Sequence, residues 1–376
     1  MSRLPSNLHY HQDSMLLEPP KSRKAAPVAR EATHHEVCPT DAHVHADEAT
    51  TTEDDIASVS VAAAVEHERA AKRGPREGQS INLGPAIWLV AMHVAALAAP
   101  WTFTWSALFL TLALHWVTGG LGICLGFHRL LTHTGFEVPQ WLRRGIAVIG
   151  TLAGEGGPVL WTANHRRHHA FSDHEGDPHS PQDGPWWSHM FWLAYTTHGG
   201  DQEGYLKRWA PDLAKDRFMM GLEKFFLPLH IVFGLTMCGI GYLVGGWAYA
   251  ASYVIWTVAV RMVFVLHTTW FVNSAAHLWG YQNYKTRDDS RNLWWVGLLT
   301  YGEGWHNNHH AHPRLAQHGH KWWEVDATYM AIRLLRRLGL AKDVVDLQSV
   351  EAKKRHRVDV AKAKTAQPKG VEAKSV

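Results

Sequence analysis

The sequence predicts an all-α integral membrane protein: four transmembrane helices carrying a cytosolic helical cap that holds a His-rich dimetal site. Three observations carry this. Gly78 to His128 contains no Asp, Glu, Lys or Arg. Phe225 to Tyr284 contains one such residue, Arg261. The pattern H-x-x-H-H occurs twice, as His165-Arg166-Arg167-His168-His169 and as His306-Asn307-Asn308-His309-His310. One span needs ~20 apolar residues, and each uncharged run is far longer than that. Soluble core helices rarely supply such runs, so the alternative of four buried helices in a soluble protein is set aside.

Residues 1–80 are rich in His, Ala, Glu and Arg without apolar periodicity and read as a disordered polar tail. His34, His35, His43 and His45 belong to it as solvated groups. The membrane domain is expected over 81–345. Ala99-Pro100-Trp101 divides the first uncharged run into spans at about 84–100 and 103–125. Gly245-Gly246 divides the second into spans at about 225–244 and 248–272. Residues 141–161 are only moderately apolar and are broken by Gly154, Gly156, Gly157 and Pro158, which suits a segment lying along the interface. The Trp-rich stretch from Trp186 to Trp192 suits an interfacial belt. Val325 to Leu338 has a helical pattern, and 346–376 reads as a basic flexible tail.

The loops orient the spans. The two tight turns carry no Lys or Arg, whereas the opposite side carries Arg73, Arg76, Arg129, Arg143, Arg144, Lys215, Arg217, Lys224, Lys285, Arg287 and Arg291. The excess of cations places that side, and both termini, in the cytoplasm. Every candidate ligand falls on the same side, and the histidines played no part in orienting the chain. The basic residues flank apolar segments rather than forming a patch, so no nucleic-acid partner is expected. Cys38, Cys124 and Cys238 make no C-x-x-C pair, which excludes a disulfide framework or a Cys-based zinc site.

On a helix, positions i, i+3 and i+4 share a face. Each H-x-x-H-H copy is therefore expected to aim three imidazoles at one point. His128 and His133 are i and i+5, about 140° apart on a regular helix. They need a helix end or a distortion to meet one metal, or else serve two metals, one on each side. His277 is a ninth candidate, with Asn273 one helical turn before it. Nine imidazoles are too many for one zinc, which takes four ligands. Two six-coordinate metals with open positions suit iron and dioxygen chemistry, and the membrane setting implies an apolar substrate. Lone span histidines such as His93, His115 and His230 read as structural or interfacial, and His174, His179, His189 and His198 as groups that orient ligands or sit at the surface.

The stretches G-F-H-R-L-L-T-H (126–133), H-R-R-H-H-A-F-S-D (165–173), D-P-H (177–179), N-S-A-A-H (273–277) and G-E-G-W-H-N-N-H-H (302–310) together resemble the membrane-bound fatty acyl desaturases of the acyl-CoA Δ9 (stearoyl-CoA) type. The similarity runs from about 84 to 340. It implies an O2-dependent 9-desaturase that introduces a cis double bond. It implies a non-haem diiron centre on His128, His133, His165, His168, His169, His277, His306, His309 and His310, with Asn273 acting through water. It also implies a separate electron donor, such as cytochrome b5 or a ferredoxin. A bent acyl tunnel is implied at Trp161 and Thr269, with Glu155 where the family usually has Gln. At the positions where animal members hold the CoA phosphates with cations, this chain has Ala163, Asn164, Thr196 and Thr197, so the acyl carrier is open between CoA, a glycerolipid and an acyl-carrier-protein ester.

Two rivals accompany the desaturase reading: a diiron hydroxylase on the same scaffold, and a His-rich membrane metal transporter. A transporter should place ionisable groups along an ion path within its spans, whereas the boxes cluster at span ends. A haem-binding anchor needs paired rather than nine converging histidines. The absence of an endoplasmic-reticulum retrieval signal favours a bacterial plasma membrane.

Overall fold

A computed structural model of the protein describes residues 79–352. The expected polar tail, its four histidines included, and most of the expected basic tail lie outside the described residues. Among the described residues the fold is helical, with isolated β-bridges and no strand.

Helix α1 (Leu83–Ala96) and helix α2 (Trp105–Thr132) are joined by a 3-10 turn over Ala99–Thr102, where Pro100 ends the first run. The Thr104 hydroxyl caps α2 by accepting from the Ala107 N–H, as N-cap residues do. Helix α3 (Gln140–Thr151) and helix α4 (Pro158–Phe171) follow. Short helices over 185–224 then lead to α5 (Phe226–Val254). After one wide turn come α6 (Arg261–Asn273) and α7 (Ala275–Leu278). Helix α8 (His306–Ala311) and helix α9 (Ala327–Arg337) complete the cap.

Two helical runs, Trp105–Thr132 and Phe226–Leu278, are long and apolar enough to cross a membrane, and α1 is a shorter apolar helix. The 53 residues of the second run would extend about 80 Å if straight, far beyond a hydrocarbon core of ~30 Å. The backbone breaks inside it at Gly245 and Gly246, the latter at φ 73°. Only 17 % of this run's most apolar window is buried. Leu227, Ile231, Val232, Leu235 and Leu243 face outward from it, as Ile87, Val90 and Val94 do from α1. A core helix of a soluble protein would bury these side chains, so the chain is a membrane protein.

From Trp116 onward α2 widens to i→i+5 hydrogen bonding. Glycines permit its close approach to α3: a Cβ on Gly122 would lie 2.7 Å from the Gly150 backbone. Small residues let two apolar helices meet backbone to backbone in this way. Arg261, the one charge in the second run, is fully buried. Its guanidinium donates to the Thr118 hydroxyl and to the carbonyls of Leu152 and Thr257, tying α6 to α2.

Two expectations need correction. Arg129 is not a loop cation: it is fully buried, pairs with Glu303 and Asp326, and donates to the Ala316 carbonyl. The ordered fold also continues past 345. Asp346 is buried and accepts from Tyr329 and Arg336, and a helical turn follows over 347–352.

Candidate metal centre

Four segments bring nine histidines together at the cap side of α2 and α6. The wide helix delivers the first two. The His133 N–H donates to the His128 carbonyl at 3.1 Å, an i→i+5 bond. This geometry carries residues five apart to one face, so the two rings lie 4.9 Å apart, centre to centre. They join the same group rather than opposite ones.

Helix α4 starts with Pro158, which has no N–H to satisfy. The Glu223 carboxylate accepts the Val159 and Leu160 N–H groups, which have no partner within the helix at that end. Helix α8 follows the turn 302–305. Gly302 there has φ 121°, and a Cβ on it would collide with Asp326 and Arg129. Asn307 and Asn308 are fully buried and hold α8 in place. The Asn307 side-chain oxygen accepts from the Asn283 and Tyr284 backbone. Asn308 is bonded to Asn283, Asn292, Glu324 and the His318 carbonyl.

The imidazoles form two groups, His128, His133, His165, His169 and His309 in one, and His168, His277, His306 and His310 in the other. Within each group the donor atoms lie within 4.8 Å of one another. Each H-x-x-H-H box is therefore divided, contrary to the expectation that its three rings share one target. The i and i+4 residues differ by about 40° around a helix, while i+3 lies about 100° from i+4. The pair His165 and His169 serves one group and His168 the other. In α8 the assignment is reversed: His306 and His310 pair, and His309 crosses over.

Carboxylates hold the outer ring nitrogens. His128 Nδ1 lies 2.7 Å from Glu303, His168 Nδ1 3.0 Å from Asp177, His277 Nδ1 2.9 Å from Asp173 and His310 Nδ1 2.8 Å from Asp288. Such partners fix the tautomer, with the proton on Nδ1 and the lone pair on Nε2. Burial works against the charge on Glu303, but Arg129 and the imidazoles of His128 and His318 hold its carboxyl well below the usual carboxylate range. Burial likewise opposes charge on Asp177, and His168 and His179 outweigh it.

The inner nitrogens face one another. The Nε2–Nε2 separations are 3.0 Å for His128–His309, 2.9 Å for His309–His169, 3.1 Å for His169–His165, 3.0 Å for His306–His277 and 3.4 Å for His168–His310. The last pair decides how these contacts are read. Both residues donate Nδ1–H to carboxylates, so two lone pairs face each other. That contact is repulsive unless a cation lies between them. Imidazoles about 2.1 Å from one ion and about 90–110° apart would have nitrogens spaced about 3.0–3.4 Å. His133 Nε2 is also buried without a hydrogen-bond partner. The donor set fits two metal ions.

Burial, reinforced by neighbouring imidazoles, holds His133, His165, His169, His306, His309 and His310 well below the usual imidazole value. These rings are neutral, as ligands must be. The sign of the pH effect follows. Unfolded imidazoles, near 6.5, bind protons that the folded rings refuse. Fold stability and metal retention are therefore complete above about pH 6.5 and fall as pH drops below it. Metal content after equilibrium dialysis between pH 7.5 and 5 checks this, and a flat retention curve contradicts it.

The three expected tunnel residues also meet. Trp161 Nε1 donates to Glu155 Oε2 at 2.8 Å, and Thr269 lies near enough to the same carboxyl to favour its charged form. Trp161 stacks on His165 at 5.0 Å, linking this trio to the first group. Burial raises Glu155 to about 7. Asn273 ends α6, half-buried, one turn before His277. Reasoning from the sequence missed the carboxylates Asp173, Asp177, Asp288 and Glu303 and the imidazole His318, whose Nδ1 lies 2.9 Å from Glu303. Asp173, Asp177 and Glu303 stand inside the motifs quoted above, so a partner search for each histidine would have found them. It also missed a cleft of about 440 Å³ lined by Arg167, Arg208, Tyr205, Trp209 and Thr197. Asn164 accepts from Thr197 and Tyr205 at its edge, so two cations reach this region from positions other than those first considered.

Residues 72–335 match the family described as fatty acid desaturases. The sn-2 palmitoyl-lipid 9-desaturase of Nostoc sp. is 48 % identical over 274 residues, covering 72 % of this chain and 93 % of that protein. The sn-1 stearoyl-lipid 9-desaturase of Anabaena variabilis is 46 % identical, covering 70 % and 94 %. An acyl-CoA 5-desaturase of Anemone leveillei is 41 % identical, covering 72 % and 81 %. With two imidazole groups at the ends of apolar helices and matches of this extent, the chain belongs to the fatty acid desaturase family.

Proposed function

We propose that the protein introduces a cis double bond at Δ9 of a saturated long-chain acyl group, using O2 and two electrons from a separate redox partner. The observation that carries the chemistry is the lone-pair contact between His168 and His310, which calls for a cation in a site built wholly of imidazole. Two iron ions held there would supply dioxygen activation and hydrogen removal from unactivated C–H bonds. His128, His133, His165, His169 and His309 would hold one ion. His168, His277, His306 and His310 would hold the other, with Asn273 acting through water. The chain's own work is to keep these rings neutral, aimed by carboxylates and shielded from water. Four spans, from α1, α2 and the two arms broken at Gly245-Gly246, would place this centre on the cytoplasmic side.

The Δ9 position is supported by the names of the two relatives from Nostoc and Anabaena. Their names also support a glycerolipid carrier, as does the lack of cations at Ala163, Asn164, Thr196 and Thr197. A CoA ester remains the competing substrate, because the Anemone relative is named for it and Arg167 and Arg208 line the nearby cleft. Binding measurements separate the two: micromolar affinity for acyl-CoA, competed by free CoA, overturns the glycerolipid assignment.

The test of the reaction is lipid profiling in a desaturase-deficient host. The expected product has lost two hydrogens and carries a cis double bond between carbons 9 and 10. A product that has gained one oxygen identifies a hydroxylase instead. At the tunnel, Glu155→Gln keeps an acceptor for the Trp161 N–H but removes a group that titrates near 7. It is expected to leave turnover within about twofold at pH 7 and to flatten the pH profile between about 6 and 8. A shifted double bond, or an unchanged profile, contradicts this role for Glu155.

A further inference from the structure

The cleft of about 440 Å³ beside α4 is lined by two arginines, Arg167 and Arg208, together with Tyr205, Trp209, Thr197 and His198. Arg167 donates to the Thr197 carbonyl at 2.6 Å and stands 5.7 Å over the Tyr205 ring, and Arg208 stands 5.5 Å from the Trp209 ring. Among the described residues neither guanidinium is paired with a carboxylate. Their sequence neighbours are paired, Arg166 with Asp212 and Lys207 with Glu203. The one carboxylate lining the cleft, Asp201, caps the short helix Gln202–Trp209 by accepting the Gly204 N–H. His198 Nδ1 is buried without a hydrogen-bond partner. Two uncompensated cations and an unpaired ring nitrogen around one cavity make a site for an anion.

The cleft lies at the edge of the membrane domain and in line with the tunnel trio. Residues 194–196 pair with 80–82: the Asn82 N–H donates to the Ala194 carbonyl, and the Thr196 N–H to the Ser80 carbonyl. Thr197 is therefore level with the start of α1 at Leu83, where the outward-facing apolar side chains begin. On α4, Trp161, Asn164 and Arg167 are spaced i, i+3 and i+6, so each step turns about 60° and rises about 4.5 Å. This stripe starts at the tunnel trio and ends in the cleft, with Asn164 midway, accepting from Thr197 and Tyr205. Its total rise of about 9 Å is comparable with an extended acyl chain from the ester carbon to carbon 9. A headgroup in the cleft would thus set carbon 9 near Trp161, which stacks on His165.

We propose that this cleft holds the anionic headgroup of a glycerolipid substrate, a phosphate diester or a sulfonate, and that Arg167 and Arg208 select it over neutral headgroups. This rests on the desaturation reading and on the glycerolipid carrier. Guanidinium groups meet the oxygens of such an anion in forked, charge-assisted contacts. A sugar headgroup would leave both cations without a counter-charge. CoA brings several phosphates and an adenine, and calls for more cations than the two that line the cleft.

The test pairs lipid binding with turnover. Binding is read by native mass spectrometry on the full-length protein loaded with zinc, and turnover on the iron-loaded enzyme in nanodiscs. The probes are phosphatidylglycerol, a sulfonate-headed diacylglycerol and monogalactosyldiacylglycerol, all with the same saturated chains, and the matching acyl-CoA. The wild type should bind at least one of the two anionic lipids about tenfold more tightly than the galactolipid, and the tighter of them identifies the anion. Arg208→Gln, at an exposed position, should raise KM for that lipid about tenfold with kcat within about twofold, and Arg208→Lys should recover part of the loss. Arg167→Gln with Arg208→Gln should abolish the preference. Equal affinity of the wild type for anionic and neutral lipids, or a preference kept in the double variant, overturns the proposal. Acyl-CoA bound more tightly than any lipid and displaced by free CoA overturns it together with the glycerolipid carrier. Charge-selective binding by a protein that makes no unsaturated product overturns the desaturation reading, and with it the cleft's role in substrate choice, while leaving the anion site itself in place.

Discussion

Replacing His309 by Ala is expected to abolish desaturation, lowering turnover by more than about 100-fold, while membrane insertion is retained. Among the five rings of the first group, His309 Nε2 lies within 3.0 Å of His128 Nε2 and 2.9 Å of His169 Nε2. Its loss removes a donor from a buried site that water cannot readily refill, since His309 is only 1 % exposed. It also removes the one contribution of α8 to that group, so the cap loses a tie to the end of α2. Lipid profiles and metal content measured on the same membranes check this. Substantial turnover in the variant would mean that the first group does not hold a catalytic metal.

The second large effect is expected at a residue that need not touch metal. Asp177→Asn should lower metal affinity or turnover about 10–100-fold, the usual cost of removing a ligand's outer carboxylate. Asp177 is fully buried and accepts from His168 Nδ1 through both of its oxygens, at 3.0 Å each. It also accepts the backbone N–H groups of Asp173 and His179. An amide offers one accepting oxygen where the carboxylate offers two, and it carries no charge. His168 would then lose the contact that keeps its Nε2 free for the shared centre facing His310. A variant within about twofold of wild type in both readouts would contradict the lone-pair argument, because the tautomer of His168 would then not depend on Asp177.

The histidines were legible in the sequence because they stand at helical spacing in two boxes and at the ends of uncharged runs. Their division was not. Spacing shows that i, i+3 and i+4 share a broad face, but not that a second centre is close enough to take the i+3 ring. That depends on how α4 and α8 face each other, which long-range packing decides. The His128–His133 pair posed a similar problem. A regular helix separates the two rings, and only the i→i+5 winding of α2, packed through Gly122 against Gly150, brings them together. The break at Gly245-Gly246 was legible because glycine pairs interrupt an apolar run locally. The burial of Arg129 was not, since its partners Glu303 and Asp326 lie far along the chain. His93 looked like an isolated span residue for the same reason: its partner His267 is 174 positions away and meets it only in the fold.

The central claim is that nine imidazoles hold two metal ions that carry out the acyl chemistry. Metal content per chain, measured on the same purified preparation that converts a saturated acyl lipid to its monounsaturated product, tests it most directly. Two irons per chain are expected, with turnover rising in proportion to occupancy. One metal per chain at full activity, or turnover independent of metal content, would contradict it.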